Sequence, residues 1–332
     1  MASGTRAPSI LLLLLALAAG CTSASPPSSH ESSEEESRPA PPDSVHPPDE
    51  PPVQPAPLDG GTPAADDHDT FGTRHLYPSA PRGRTWASRW DEHPRTLKPG
   101  QQDPDDPEFQ LRGMDHTLEI FGDGTARSSG EMIRFYIGTP DKTWLNTELT
   151  VYVLRMMETS REPGSAGFEL QTRTGDGHQE NAQDNAAGLD RRCDGHAYAY
   201  SLRFDGRAVL EKELKHPTYT PQLTKHLWGG GPLPRNKWVG IKAITYNLPG
   251  ERVKLELWLD LTDGVNGGTW TKVHEHTDAG GWGIDPAVAA TCKIAADHRI
   301  TRPEPFVILR SHGIREQWYK KVTVREIQPP SR

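Results

Sequence analysis

The segment GIKAITYNL, residues 240–248, contains a lysine and a tyrosine whose spacing could support chemistry. Alternate side chains of an extended strand point to one side, so Lys242, Ile244 and Tyr246 share a face. A phenol held in a cleft can donate a proton during catalysis. The mixture of polar and aromatic groups on this face suits a ligand groove, and the alternative is one more amphipathic strand of a β-sandwich.

A second candidate set is His196 with the alternating tyrosines Tyr198 and Tyr200. Aromatic side chains on one face can stack on sugar rings. Leu202 and Phe204 follow on the same face, and this composition favours a buried position for the tyrosines.

The carboxylates of the sequence give only a weak indication of a glycoside-hydrolase site. Hydrolysis of a glycosidic bond needs two carboxyl groups facing the substrate, one to protonate and one to attack or activate water. The nearest candidates, Glu256 and Asp260, share the polar face of one strand, but Trp258 lies between them and a third acid is absent. We therefore rank glycoside hydrolysis well below the other activities considered.

Two segments suggest metal ligands. The run from Asp260 to Gly268 combines Asp, Asn and Gly, but it lacks a complete calcium-loop pattern and is more typical of a hairpin turn. His274 and His276 have no evident third ligand. We predict no metal site and no cofactor.

The strands that must position these residues are short and alternating. In ERVKLELWLDL, apolar residues from Val253 to Leu261 alternate with polar ones, and a glycine-rich turn follows. No long stretch has a helical period. The sequence therefore predicts an all-β fold, an antiparallel β-sandwich of the concanavalin-like jelly-roll type with a disordered N-terminal tether.

The chain divides by composition. We predict a jelly-roll domain over residues 111–332 and, over residues 70–110, an irregular arm that packs on the sandwich through Trp86 and Trp90.

The N-terminus is typical of an exported bacterial lipoprotein. Residues 1–21 combine Arg6, a short apolar run and Ala-Ala-Gly before Cys21, which resembles a lipobox in which that cysteine receives lipid. The apolar run is too short to span a membrane. We therefore predict a signal peptide, lipidation of Cys21, and a location in the bacterial cell envelope, at the outer membrane or the cell surface.

Residues 22–69 are rich in Pro, Ser and acidic residues and contain almost no residues that could form a core. This composition predicts a disordered, extended linker. The formal charge of −8 arises in this linker, and the rest of the chain is nearly neutral. The absence of a basic excess argues against a nucleic-acid partner. In an exported protein the remaining cysteines, Cys193 and Cys292, suggest a disulfide, with two free thiols as the alternative.

The segment GIKAITYNL, residues 240–248, resembles a strand of the alginate lyase family of jelly-roll polysaccharide lyases. In that family a lysine, an alanine and a tyrosine recur as K-A-x-x-Y. The matching residues are Lys242, Ala243, Tyr246 and Asn247. Upstream, NTELTVYV resembles that family's Arg-Ser/Thr-Glu-Leu strand and contributes Glu148. ELQTRTG contributes Gln171 at the position of the family's Gln-x-His. The resemblance covers most of residues 110–328.

Two positions depart from the family pattern. Asn146 stands where the family has an arginine, and Arg173 stands where it has the catalytic histidine. The resemblance implies β-elimination on a uronate-containing chain, with Tyr246 as the acid and Gln171 neutralising the substrate carboxylate. Tyrosine can also serve as the base in some lyases. Other substitutes for the missing base are His178, His196 and His216.

Three hypotheses follow. The first is an envelope lipoprotein whose sandwich binds polysaccharide and whose membrane contact is the lipid anchor. The residues expected to bind the ligand are Glu148, Arg173, Lys242, Asn247 and His196. The second is a polysaccharide lyase that uses Tyr246 and Gln171. The third is a structural or protein-binding sandwich without a sugar ligand.

Overall fold

The computed structural model describes residues 67–112, 116–130, 132–159, 166–176, 178, 190–283 and 285–330. Within these residues, seventeen strands form two antiparallel sheets. The predicted signal peptide, Cys21 and almost all of the predicted linker lie outside the described residues. No described helix is long and apolar enough to cross a membrane.

The larger sheet has nine strands. In chain order they are β1 (Thr85–Ala87), β2 (Arg95–Leu97), β4 (Thr117–Ile120), β5 (Thr125–Ser129), β7 (Thr147–Glu158), β13 (Trp238–Leu248), β14 (Arg252–Asp260), β15 (Trp270–Asp278) and β17 (Ile314–Glu326). Their spatial order is β15-β14-β13-β7-β17-β5-β4-β2, and β1 pairs with β17.

The smaller sheet has eight strands. In chain order they are β3 (Phe109–Arg112), β6 (Met132–Ile137), β8 (Gly167–Thr174), β9 (Ala197–Arg203), β10 (Arg207–Lys215), β11 (Thr218–Tyr219), β12 (Leu223–His226) and β16 (Phe306–His312). Their spatial order is β11-β10-β9-β8-β16-β6-β3, and β12 pairs with β10. One α-helix, α1 (Pro286–Cys292), lies among the described residues.

Alternation along the strands builds the core between the sheets. Val253, Leu255 and Leu257 of β14 are fully buried in it, as the sequence pattern predicts. Tyr198 and Tyr200 are also core residues, and their hydroxyl groups donate to Asp278 Oδ2 (2.7 Å) and to a backbone carbonyl (2.9 Å). The predicted all-β class and antiparallel sandwich are confirmed.

Residues 70–110 add to the larger sheet as well as covering it. Trp86, in β1, and Trp90 are buried in the core. The strands β1 and β2 pair with β17 and β4. Two stretches of this segment are therefore regular, because their backbones complete ladder hydrogen bonds with longer strands.

The predicted disulfide is confirmed. Cys193 and Cys292 are bonded, with their Cα atoms 5.3 Å apart, and they are 99 positions apart in sequence. The bond ties the short 3₁₀ turn Arg191–Asp194 to the C-terminal end of α1.

Candidate functional site

The predicted ligand residues Lys242 and Glu148 meet on the outer face of the nine-stranded sheet. The register of β13 with β7 places Lys242 opposite Thr150. The Lys242 ammonium donates to Glu148 Oε1 at 2.5 Å and to Thr150 Oγ1 at 2.9 Å. Arg325 Nη2 donates to the other carboxylate oxygen of Glu148 at 2.7 Å. Two cations thus share one carboxylate, and all three side chains are buried.

The segment of residues 67–80, hereafter the arm, covers this ion-pair cluster. The backbone N–H of Leu76 donates to Glu148 Oε2 at 3.2 Å. The ring of Tyr77 lies 5.6 Å from that of Tyr246, centroid to centroid. The face that the sequence pattern suggested as a ligand groove is therefore occupied by the chain itself.

The predicted proton donor, Tyr246, is buried beneath the arm. Its phenol donates to Glu256 Oε1 at 3.3 Å, and Tyr77 donates to the other oxygen of the same carboxylate at 2.8 Å. Burial, and then the negative charge of Glu256, raise the pKa of Tyr246. In this arrangement Tyr246 helps to dock the arm and does not face an open cleft.

Arg173 and Asn247 lie between the sheets at one end of the sandwich. A register shift and a φ of 51° at Arg173 turn its side chain inward. Its guanidinium donates to Asn247 Oδ1 at 2.7 Å and to the Leu145 carbonyl at 3.1 Å. Burial lowers the pKa of Arg173 to about 10, so it remains charged at neutral pH. These contacts tie the two sheets together and leave Arg173 buried.

His196 is occupied by a carboxylate near the same end. Its Nε2 lies 2.8 Å from Glu304 Oε1, and its Nδ1 lies 3.3 Å from the Cys193 carbonyl. Both ring nitrogens therefore lie close to oxygen atoms of the protein itself, and His196 is 4% exposed.

Gln171 lies on the outer face of the eight-stranded sheet, hereafter the second face. Its Nε2 donates to Glu169 Oε1 at 2.7 Å. The structure therefore does not bring Gln171, Tyr246 and Arg173 together. The reason is topological, because Gln171 of β8 and Tyr246 of β13 lie on the outer faces of different sheets, whereas Arg173 points between the sheets.

The second face carries a row of arginines that sequence reasoning missed. The registers place Arg112 opposite Arg134, and Arg134 opposite Arg310, on the neighbouring strands β3, β6 and β16. The neighbouring residues Leu111, Ile133, Phe135 and Leu309 point into the core. Directly opposed side chains have Cβ atoms about 5 Å apart, and like charges in that position destabilise a sheet. We refer to Arg112, Arg134 and Arg310 as the arginine row.

Carboxylates and aromatic rings contact the guanidinium groups of the arginine row. Arg310 Nη1 lies 3.4 Å from Glu169 Oε1. The Arg112 guanidinium stacks 4.4 Å above the Tyr136 ring and lies 3.9 Å from Asp176 Oδ1. Cation–π stacking of this kind holds a guanidinium in place while leaving its edge available for hydrogen bonds.

A cluster of His178, Glu213 and His216 adjoins the row. His216 Nδ1 lies 2.8 Å from Glu213 Oε1, and His178 Nδ1 lies 3.2 Å from Glu213 Oε2. His178 Nδ1 is also 3.0 Å from the Gly195 carbonyl, and the His178 carbonyl accepts a hydrogen bond from Tyr136. Both His178 and Glu213 are 0% exposed.

Burial favours the uncharged forms here. Desolvation, and then the charge of Glu169, raise the pKa of Glu211 to about 7 and that of Glu213 well above its usual value. Desolvation lowers the pKa of His216 to about 3 and that of His178 well below its usual value. Of the two short His–Glu contacts, the one between His216 Nδ1 and Glu213 Oε1 is a hydrogen bond, and burial disfavours the charged forms of both of its partners.

Three buried acceptors on the second face have no donor. Gln171 Oε1, His178 Nε2 and Glu213 Oε2 are fully buried and lack a hydrogen-bond partner among the described residues. An unmet buried acceptor costs about 1–3 kcal/mol, so such atoms call for an explanation. A bound ligand or ion would supply one.

A sequence signal for the second face exists. Each strand of the row has one arginine directly after an apolar residue, as in MIRFYI around Arg134 and VILRSH around Arg310. In β10, LEKEL places Glu211 and Glu213 on one face. A lone charge within an otherwise apolar strand is the pattern that would have directed attention to these residues.

Comparison with known proteins gives only distant likenesses. No family model and no curated protein matches the sequence. Similar solved structures include a winged bean acidic lectin complexed with methyl-alpha-D-galactose (10% identity, TM-score 0.40, covering 74% of this chain and 100% of that chain). Others are alginate lyase Aly36B (11%, 0.37, 77% and 100%) and a Bacillus subtilis protein of unknown function with a galectin-like fold (12%, 0.40, 70% and 95%). Likenesses at this level assign neither ligand nor activity.

Proposed function

We propose that this protein binds a uronate-containing polysaccharide through the arginine row of the second face. The observation that carries the proposal is the juxtaposition of Arg112, Arg134 and Arg310 on three adjacent strands. Like charges directly opposed on neighbouring strands destabilise a sheet, and an anionic ligand that bridges the guanidinium groups offsets part of that repulsion.

The chemistry of the row suits carboxylates on a sugar chain. Guanidinium groups bind carboxylates through paired hydrogen bonds, and a regularly spaced row can engage successive acidic sugars. Gln171 Oε1 has no donor in the structure and can accept a hydrogen bond from a sugar hydroxyl. The row and its neighbours thus offer both the charge and the hydrogen-bonding groups that an acidic glycan needs.

The test is retention on acidic and neutral polysaccharides. Alginate, pectin and glucuronan are compared with a neutral glucan by affinity electrophoresis at low salt. We expect the acidic chains alone to retard the protein, and retention to weaken as salt screens the charges. Equal retention by the neutral glucan would contradict the proposal.

Variants locate the site. Removing one charged hydrogen-bonding group is worth about 1.5–3 kcal/mol, so Arg112→Met and Arg310→Met are each expected to weaken binding roughly 10- to 100-fold. Arg127→Met is the matched control, because Arg127 lies on the other sheet and pairs with Glu119. Thermal unfolding verifies that each variant is folded. Equal binding by all three variants would exclude the second face.

The lyase hypothesis is tested in the same incubations. β-Elimination creates an unsaturated sugar, which absorbs in the ultraviolet. For a binding protein we expect retention without new absorbance. Absorbance that disappears in Tyr246→Phe would instead support a lyase, and failure of both retention and absorbance would leave the structural or protein-binding hypothesis.

The proposal includes attachment to the cell envelope. It rests on the apolar run before Cys21 and on the acidic, Pro-rich composition of residues 22–69. Mass spectrometry of the mature N-terminus tests it: a lipid-modified Cys21 is expected, and Cys21→Ser should release the protein into the soluble fraction. An unmodified Cys21 in the mature protein would contradict the anchor.

A further inference from the structure

We propose that His178, Glu213 and His216 bind a divalent transition-metal ion, with zinc as the best fit. One donor atom from each side chain lies within 4.8 Å of the others, and all three residues are buried. Imidazole and carboxylate are ligands that zinc prefers. The proposal is independent of polysaccharide binding, since it rests on none of the arginines.

The fold brings the three side chains together from separate elements. Glu213 points outward from β10, and His216 follows the strand end by one residue and returns to the same carboxylate. His178 comes from the segment after β8, where the hydroxyl of Tyr136 holds its carbonyl. The imidazole rings of the two histidines have centroids only 4.2 Å apart.

The hydrogen bond to Gly195 determines how His178 can act. A backbone carbonyl accepts only, so His178 Nδ1, 3.0 Å from Gly195 O, carries the proton. Nε2 is therefore left with a lone pair, fully buried and without a donor among the described residues. Metal-binding histidines characteristically donate the second ring nitrogen to a carbonyl or carboxylate in this way.

The spacing also fits a shared ion. Ligands at about 2.0–2.2 Å from a tetrahedral zinc ion lie roughly 3.3–3.6 Å from one another. His216 Nδ1 and Glu213 Oε1 are separated by 2.8 Å, so a small rotation of either side chain gives that spacing. Three protein ligands leave a fourth position for water or substrate, which is the composition of a catalytic-type zinc site.

Another acidic cluster does not meet these conditions. Glu92, His93 and Asp105 also have donor atoms within reach of one another, but His93 is 76% exposed and Asp105 pairs with Arg95. Exposed groups of this kind are satisfied by water. The buried cluster is the one that needs an ion.

Metal analysis tests the inference. The full chain is purified without a polyhistidine tag, incubated with Zn²⁺, dialysed and measured by mass spectrometry for metals. About one zinc per chain is expected, and Co²⁺ in its place should give the visible absorption of a tetrahedral site. Zinc-free protein after this treatment would overturn the proposal.

Variants assign the ligands. His178→Gln, Glu213→Gln and His216→Gln are each expected to weaken zinc affinity by at least about tenfold, since removing even an outer partner of a ligand costs that much. His274→Gln is the control, because His274 is also buried but is bonded to the Leu223 carbonyl. Retention of zinc by folded His178→Gln and His216→Gln proteins would refute the assignment. Retention on alginate is measured in parallel, so the two proposals fail or succeed separately.

Discussion

Replacing Lys242 by methionine should destabilise the domain strongly. The substitution keeps an unbranched apolar stem and removes the ammonium that pairs with Glu148. Breaking a buried ion pair by removing one partner costs about 3–5 kcal/mol. Arg325 remains 2.7 Å from the same carboxylate, so we expect the lower end, about 3 kcal/mol. That loss corresponds to a fall in the unfolding temperature of roughly 6–12 °C.

The companion variant, Glu148→Gln, should lower the free energy of unfolding more than Lys242→Met does. It leaves Lys242 and Arg325 buried around a neutral amide and weakens the acceptor of the Leu76 N–H. We expect a loss of about 4–5 kcal/mol. Because Leu76 belongs to the arm, limited proteolysis should cut residues 67–80 faster in this variant than in the wild type.

Lowering the pH should reduce the difference in the free energy of unfolding between the wild type and Glu148→Gln. Burial alone would raise the pKa of Glu148, but Lys242 and Arg325 outweigh burial and hold it below its usual value of 4.5. A depressed carboxyl pKa contributes stability that is present above the pKa of the unfolded chain and is lost as pH falls through the folded pKa. The stability gap between wild type and Glu148→Gln should therefore narrow below about pH 4.5.

Urea unfolding followed by tryptophan fluorescence measures these effects. Lys254→Met is the control, because Lys254 lies on the neighbouring strand and its partner, Glu275, is 44% exposed. Such a pair is worth at most about 1 kcal/mol. The reasoning is refuted if Lys242→Met lies within 1 kcal/mol of the wild type, or if it matches Lys254→Met.

Three further outcomes are expected. Replacing Cys193 and Cys292 by serine should lower the free energy of unfolding by up to about 4–5 kcal/mol, because the bond closes a loop of 99 positions; an unchanged urea midpoint would contradict this. Asp260→Asn should cost about 2–3 kcal/mol in thermal unfolding, since this carboxylate accepts from Tyr152 and from several turn donors, and a shift below 2 °C would show that the turn tolerates an amide. Tyr246→Phe should cost less than about 1 kcal/mol and leave polysaccharide retention unchanged, because it removes one long hydrogen bond; lost retention would point back to the nine-stranded sheet.

Local alternation was sufficient to predict the strands and the fold class. The period of two in β14 and β9 identified which side chains enter the core, because packing between two sheets imposes that period. The disulfide was predicted from two cysteines in a chain whose N-terminus we interpreted as an export signal. These predictions depend on near neighbours in sequence or on composition.

The assembly of the site could not be predicted in this way. Gln171 and Tyr246 both occupy outward positions, but alternation does not say to which sheet a strand belongs. The same is true of Arg134 and Arg310, which are 176 positions apart in sequence and directly opposed in the sheet. The sequence predicted a covering arm over residues 70–110, yet the docking of residues 67–80 onto the Lys242 cluster depends on contacts with no local signature.

The arm also contains the hydrogen bonds on which a pulling force applied from the N-terminal side of the domain would act first. Tension arriving from the N-terminal segment would first meet the bonds around Asp69, whose Oδ2 accepts from Thr323 on β17. Next come Leu76 and Tyr77, held by Glu148 and Arg325 on two adjacent central strands. A pulling force is thus delivered to the middle of the larger sheet, where the longest strands share it, and the exposed edges are spared.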